Sequence, residues 1–362
     1  MEKYAIGIDI GGTTVAFGVV DERGTMVARS YFIEDEDTKE VEKKLEKYKI
    51  ETQDYEKFDD FINILVKKLK LFLADNNLTE NIIGIGIGAP NAQYSTGEIV
   101  NPVNLWKNDK SVEVRVFKIR DILSKEMNLD KENIVIDNDA NAAAMGELLY
   151  GKAKEENIKN FIEITLGTGV GSGIVSNGAL VRGNNGFAGE LGHTVSIRHN
   201  GRLCGCGGRG HLETYASATG VACTAREFLE TRKEYSVLRE ITQEKITSKD
   251  VFNAAKKGDK ISLDIFEYTG KILGEAFADF IVFSDPEAII LFGGLTKSWN
   301  DYLKEPTERY MENALMPNFR GKVKLMLTGM KAADVAVLGA SALVWEAIIF
   351  TKNKEQRIKN KE

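Results

Sequence analysis

Residues able to ligate metal or move protons crowd into one stretch, 186–213, which reads GFAGELGHTVSIRHNGRLCGCGGRGHLE. It holds all three histidines of the chain, His193, His199 and His211, and two of its three cysteines, Cys204 and Cys206. Thiolate and neutral imidazole both bind zinc well, and a structural site wants four such ligands in a tetrahedron. His193, Cys204, Cys206 and His211 supply that set and leave His199 outside it. Glu190 and Glu213 bracket the candidate site, where a metal would stiffen a glycine-rich loop and hold both acids ready to grip a polar ligand. Without a metal the stretch reads as a surface turn with incidental cysteines, because Cys-x-Cys with a His partner is less diagnostic than paired Cys-x-x-Cys motifs.

Glycine turns that bare successive backbone N–H groups attract anions, since glycine lets a ligand approach the main chain closely. Three are present: residues 9–14 (DIGGTT), residues 167–173 (GTGVGSG) and Gly293-Gly294. None is a P-loop, which needs G-x-x-x-x-G-K-[ST], nor a dinucleotide fingerprint, which needs G-x-G-x-x-G opening a helix. What remains is two hairpin turns able to close on a polyphosphate. Gly11, Gly12, Gly167 and Gly169 offer backbone, and Thr13, Thr14 and Thr168 add hydroxyls. Asp9 ends an apolar strand, where an acid is costly to bury unless it meets a cation. Magnesium on the phosphates, held through water, is the candidate. A lone glycine turn is usually a plain hairpin; two on matched topology say more.

Asp139 is the candidate general base. It stands where the apolar strand Ile134-Val135-Ile136 hands over to a helix, in the run Asp137-Asn138-Asp139. One of these residues is needed as the helix N-cap, and three exceed that need. In phosphoryl transfer a carboxylate takes the proton of the attacking hydroxyl while the protein positions and neutralises charge. Asn138, Glu190, His193 and Glu213 then offer the mixed donors and acceptors that a sugar ring wants.

The elements that carry these groups follow from periodicity. Strands are expected at residues 5–10, 15–20 and 25–32 as an antiparallel meander, followed by a charged, solvated helix or loop over 34–55. A helix over 58–76 and the strand 82–88 come next, then a loop, a helix at 117–127, the strand 134–136 and the helix 140–150. Residues 161–166 repeat the opening: strand, Gly/Thr turn, and a second strand beginning at 174. One plan used twice implies two lobes. Helices at 222–231, 248–257, 261–284, 302–314 and 334–350, with strands at 288–292 and 323–327, complete the chain, and the lysine-rich end is expected to fray.

With 362 residues, 43% hydrophobic and 28% charged, the chain is sized for two lobes of ordinary globular composition. A net charge of −6 argues against a protein that lives by binding nucleic acid or anionic membrane. The N-terminus lacks a signal-peptide pattern, and residues 335–350 are interrupted by Gly339, Ser341 and Glu346. Three cysteines exclude a disulfide scaffold and fit a reducing cytoplasm, with Cys223 a small buried apolar residue.

The motifs DIGGTT, IDNDANAAAMGE (136–147), LGTGVGSGI, GELGH and CGCGGRGHLE together closely resemble the ROK family of repressors and sugar kinases, above all its bacterial glucokinases. The likeness runs from about residue 4 to 345. It implies an α/β actin-like, ribonuclease H-like ATPase fold, two lobes around a cleft, with 1–136 plus 345–362 in one lobe and 137–344 in the other. It also implies Asp139 as base, sugar contacts from Asn104, Asn138, Glu190, His193 and Glu213, ATP with Mg2+, structural zinc, and a homodimer or homotetramer. His211 departs from the resemblance, which expects a third cysteine there; imidazole ligates zinc, so a Cys2His2 site is expected. The activity implied is ATP-dependent phosphorylation of glucose or of mannose, fructose or an N-acetylhexosamine. A sugar-sensing repressor would add an N-terminal helix-turn-helix, for which a first strand beginning by Ala5 leaves no room. A filament or chaperone ATPase would lack the sugar-gripping residues.

Overall fold

A computed structural model describes residues 2–33, 37–102, 105–106 and 115–359. It divides into two compact units: Met1–Asn157 with Gly183–Gly186 and Gly329–Glu362, and Ile158–Arg182 with Phe187–Thr328.

The strands of the first unit are β1 (Tyr4–Ile10), β2 (Thr14–Asp21), β3 (Met26–Arg29), β4 (Ile50–Glu51), β5 (Ile82–Gly88), the short β6 (Ala92–Gln93), β7 (Glu98–Val100) and β8 (Val116–Phe117), and β9 (Ile134–Asp137). The main sheet is ordered β3-β2-β1-β5-β9, with β4 on β2. β1 to β3 form the expected antiparallel meander, and β5 and β9 extend it in parallel. Alternation along β1 and β5 decides what each face can accept, because side chains on a strand point to opposite faces. Ile6, Ile8, Ile85 and Ile87 join Phe61, Leu65, Leu69 and Phe72 of helix Phe58–Asp75 in one apolar core. The opposite face is a row of glycine. A β-carbon on Gly7 would lie 2.0 Å from the carbonyl oxygen of Val337, and one on Gly86 1.8 Å from that of Ala340. Helix Val335–Lys359 therefore rests directly on the backbone of both strands. Gly339 of that helix repeats the contact one layer out, where its β-carbon would meet Ala142 O of helix Asp139–Leu149 at 2.4 Å.

The second unit holds β10 (Phe161–Leu166), β11 (Val170–Ser176), β12 (Ala179–Leu180), β13 (Ala288–Phe292) and β14 (Lys324–Leu327) in the order β12-β11-β10-β13-β14. Three antiparallel strands followed by two parallel ones repeat the first sheet. Its core joins Ile162, Ile164, Ile289 and Leu291 to Phe266, Leu273, Phe277 and Ile281 of helix Lys260–Ser284.

Four expectations need correction. The boundaries at 136/137 and 344/345 are not where the compact units divide: helix Asp139–Leu149 and the start of the last helix pack on each other through Gly339 and belong to the first unit. β11 begins at Val170 rather than at 174, so the second turn is only Gly167–Gly169, and Gly171 and Gly173 pair in the ladder with Thr165 and Glu163. The charged segment is solvated along its helix Lys39–Leu45, which buries nothing, but the chain then sends Tyr48 and Ile50 into the core and lays β4 along β2. The last helix extends to Lys359, past the expected helix end at 350. Among the described residues no helix is long and apolar enough to cross a membrane.

If the glycine row sets the helix position, a single methyl must disturb it. Gly86→Ala is expected to cost about 1–3 kcal/mol by overpacking, read as a lower urea midpoint; an unchanged midpoint would refute direct backbone packing.

Candidate active site and metal centre

The run 137–139 divides its duties cleanly. Asp137 is 1% exposed, and its Oδ1 accepts from Asn138 N and from Asn141 Nδ2, each at 2.8 Å. Asn138 is the N-cap: its Oδ1 accepts from Ala140 N at 2.9 Å, leaving the amide Nδ2 as a donor. Asp139 is the first helical residue and shares the Ala140 N–H at 2.9 Å through one oxygen, so its second oxygen is left for other chemistry. Its residue is open to solvent at the surface, yet protein crowded round the carboxyl removes much of its hydration and raises its pKa, an effect that the helix N–H offsets in part. Asp9 lies at the end of β1, opposite Gly88 of β5, and a β-carbon on Gly88 would sit 3.5 Å from Asp139 Cα. The Asp9 carboxyl is pushed up to about 7, first by desolvation and then by the charge of Asp139.

The first glycine turn, Gly11-Gly12-Thr13, closes with Gly11 N donating to Thr14 O at 3.0 Å, and Thr14 begins β2. The second, Gly167-Thr168-Gly169, closes one residue tighter, Gly167 N to Gly169 O at 3.0 Å. Glycine at 169 is required by a close approach: a β-carbon there would be 2.2 Å from Glu213 Oε2, the atom that accepts from Val170 N at 3.2 Å. Gly293 needs its glycine for two reasons, a φ of 107° and a β-carbon position 2.5 Å from Leu166 O. Gly293-Gly294 is thereby set against the strand end that opens the second turn. The structure thus brings these two turns together within the second unit, while Asp9, the first turn, Asn138 and Asp139 gather in the first. Asn104 lies outside the described residues.

The four predicted metal ligands do converge. One ligand atom from each of His193, Cys204, Cys206 and His211 lies within 4.8 Å of all the others. His193 Nδ1 is 3.4 Å from His211 Nδ1 and 3.6 Å from Cys204 Sγ, and Cys206 Sγ is 3.3 Å from His211 Nδ1. Tetrahedral zinc, with bonds of about 2.0–2.3 Å, spaces its ligand atoms by about 3.3–3.8 Å. The donor set fits that ion. Burial pushes the Cys204 thiol up to about 11, and its Sγ donates to Glu213 Oε1 at 3.4 Å. His193 directs Nδ1 into the cluster and Nε2 toward Glu190 Oε2, 3.9 Å away. One ring can thus serve a metal on one edge and a polar ligand on the other.

Sequence reasoning missed the residues that hold this loop. Ser172 of β11 donates to Gly189 O and accepts from Leu191 N at 3.1 Å, pinning the segment that carries Glu190 and His193. Arg202 reaches Glu227 Oε1 at 2.7 Å and Thr214 O at 2.7 Å, and stacks on Tyr215 at 4.5 Å. Neither has a local sequence signal, since each acts across 12 to 25 positions.

A sequence model of the ROK family matches residues 5–347. The glucokinase of Halalkalibacterium halodurans is 32% identical over 95% of this chain and 95% of its own length. The glucokinase of Thermotoga maritima is 30% identical over 95% of this chain and 98% of its own. The crystal structure of a ROK family glucokinase from Streptomyces griseus, in complex with glucose and AMPPNP, superposes with a TM-score of 0.68 at 26% identity, covering 94% of this chain and 98% of that one.

The raised Asp9 pKa has a thermodynamic signature. Between the unperturbed 3.8 and about 7 the folded chain holds this proton more tightly than the unfolded chain, so stability falls as pH rises through that window and stays lower above it. Asp9→Asn removes the penalty. The variant should melt higher than wild type at pH 8, with the gap closing toward pH 4; equal melting temperatures at pH 8 would refute the assignment.

Proposed function

The chain belongs to the ROK family, and on that premise we propose that it is an ATP-dependent hexose kinase of actin-like ATPase fold that converts glucose to glucose 6-phosphate. The observation that carries this reading is the division of labour at 137–139: Asn138 takes the cap, shares the Ala140 N–H with Asp139, and leaves one oxygen of the Asp139 carboxylate for a ligand. Near-complete coverage of two glucokinases supports it.

In this reading Asp139 accepts the proton of the attacking sugar hydroxyl, a step worth about 10² to 10⁴ in rate for a placed base. Its raised pKa brings it nearer to the operating range of a base. Asn138 Nδ2, Glu190, His193 Nε2 and Glu213 hold the other hydroxyls. The N–H groups of Gly12 and Thr13, and of Thr168 and Gly169 beside Gly293-Gly294, take the phosphates. Magnesium, when bound with ATP, supplies positive charge to the phosphates, and Asp9 is the residue that would face it through water. His193, Cys204, Cys206 and His211 would hold a structural zinc, which would fix the ring edge of His193. A cytoplasmic homodimer or homotetramer accompanies the reading.

Purified protein with MgATP should release ADP with glucose; silence toward glucose, mannose, fructose and N-acetylhexosamines alike would end the proposal. Asp139→Asn should lower kcat at least 10²-fold while glucose still binds with near wild-type affinity, and retained turnover would remove Asp139 as the base. Atomic absorption should find about one zinc per chain. Cys206→Ser should lose most of it and raise the hexose KM, and full zinc content in that variant would refute the ligand set.

A further inference from the structure

Residues 50–53, at the end of the charged segment, have no part in the reading above, yet they grip the first glycine turn from behind. Thr52 N donates to Thr13 O at 2.7 Å, Thr52 Oγ1 donates to Gly11 O at 2.9 Å, and Gln53 Nε2 reaches Gly12 O at 3.4 Å. Every carbonyl of the turn is thus tied to this segment. The Gly12 and Thr13 N–H groups donate to nothing among the described residues. Thr52 itself is 1% exposed, so its hydroxyl serves the turn and not a ligand. It is held in place by the pairing of Thr14 with Glu51 and of Val15 with Ile50.

The second turn is gripped in the same manner by an unrelated element. Ala218 N donates to Gly167 O at 2.9 Å, and Thr219 Oγ1 donates to Thr168 O at 2.9 Å. Both donors lie in the first turn of helix Ala218–Thr231. The first grip comes from the 3-10 turn Thr52–Asp54 just after β4 and the second from a helix start, so the two elements differ in kind. Each nevertheless places one backbone N–H and one threonine hydroxyl on the carbonyls of a glycine turn.

The physical reason concerns sign. A peptide turn presents carbonyl oxygens as readily as N–H groups, and an oxygen facing a phosphate repels it. Anion sites in loops work when successive N–H groups converge and the carbonyls point elsewhere. We propose that Thr52 and Thr219 are positioning residues that hold the carbonyls of their glycine turns away from the ligand, so that the N–H groups face the phosphates of a nucleoside polyphosphate. The proposal rests on the phosphate-binding reading of the turns and goes beyond it by naming what orients them.

The test is calorimetric binding of MgADP, with steady-state KM values beside it. Thr52→Val keeps shape and backbone N–H but removes one donor, and should weaken MgADP about three- to ten-fold, the range of one hydrogen bond. KM for ATP should rise with it and KM for glucose should not. Thr52→Ser should restore wild-type affinity. Thr219→Val, at an exposed position, should weaken MgADP at least about two-fold and decides the matter if Thr52→Val does not fold. Unchanged MgADP affinity in a folded valine variant, whatever its melting temperature, would overturn the proposal. So would equal rises in the two KM values. Wild type that binds MgADP without phosphorylating any hexose would end the hexose-kinase reading alone, since the calorimetric comparison decides the clamps by itself.

Discussion

The first unit depends on one contact: the backbone of β1 and β5 lying against helix Val335–Lys359, with room for no β-carbon at Gly7 or Gly86. A sheet normally keeps a layer of side chains between itself and a covering helix, and about 10 Å separates packed layers when it does. Removing that layer lets a second small-residue contact, Gly339 on Ala142, bring helix Asp139–Leu149 close as well. Asp9 shares the glycine face, because it is two residues on from Gly7. Its carboxyl is therefore brought within the influence of Asp139, which is what the coupling of their charges reports. Larger residues in the row would still make a sheet, but the two acids would part.

The second unit solves a different problem. Residues 187–213 contain little regular structure beyond the 3-10 turn Leu191–His193 and the isolated bridges Val195 to His211 and Leu203 to Arg209. A loop of that length cannot hold side chains to a fraction of an ångström by apolar burial alone. Four metal-ligating atoms within 4.8 Å of one another, Arg202 on Glu227 and Thr214, and Ser172 on the Gly189 backbone replace the missing core with polar contacts. Those contacts are directional, so they fix orientation where packing would fix only position.

How much of this could be read from the chain follows from the range of the forces involved. The alternating IGIGIG of β5 announces a strand with unlike faces, and the metal quartet is legible because Cys and His are rare and gathered in one stretch. Asp137-Asn138-Asp139 declares a cap plus surplus, although only geometry says that Asn138 is the cap. The lobe boundary was misread because helix Asp139–Leu149 is assigned by what it packs on, a helix about 200 positions later. The start of β11 was misread because Gly171 and Gly173 look like turn residues while their ladder partners, Thr165 and Glu163, decide otherwise. Thr52 left no trace at all: its partners are backbone carbonyls about 40 residues away, and a carbonyl carries no residue identity to recognise.

What remains is an imbalance of charge that the protein does not itself resolve. Desolvation and the neighbouring Asp139 are the two causes that lift Asp9 toward neutrality, and both oppose its ionised form. At neutral pH the fold therefore carries a cost at this point, of the kind that active sites tolerate where structural cores do not. A cation brought by the ligand would relieve it, and the same cation would be needed to carry polyphosphate into a region already holding two carboxyls. A cation bound there would therefore stabilise the first unit, and the acid at the end of β1 marks where it would act. The glycine turn beside it fits the same logic: with its carbonyls tied to Thr52 and Gln53, it offers positive N–H edges without adding any formal charge that would have to be neutralised in the empty protein.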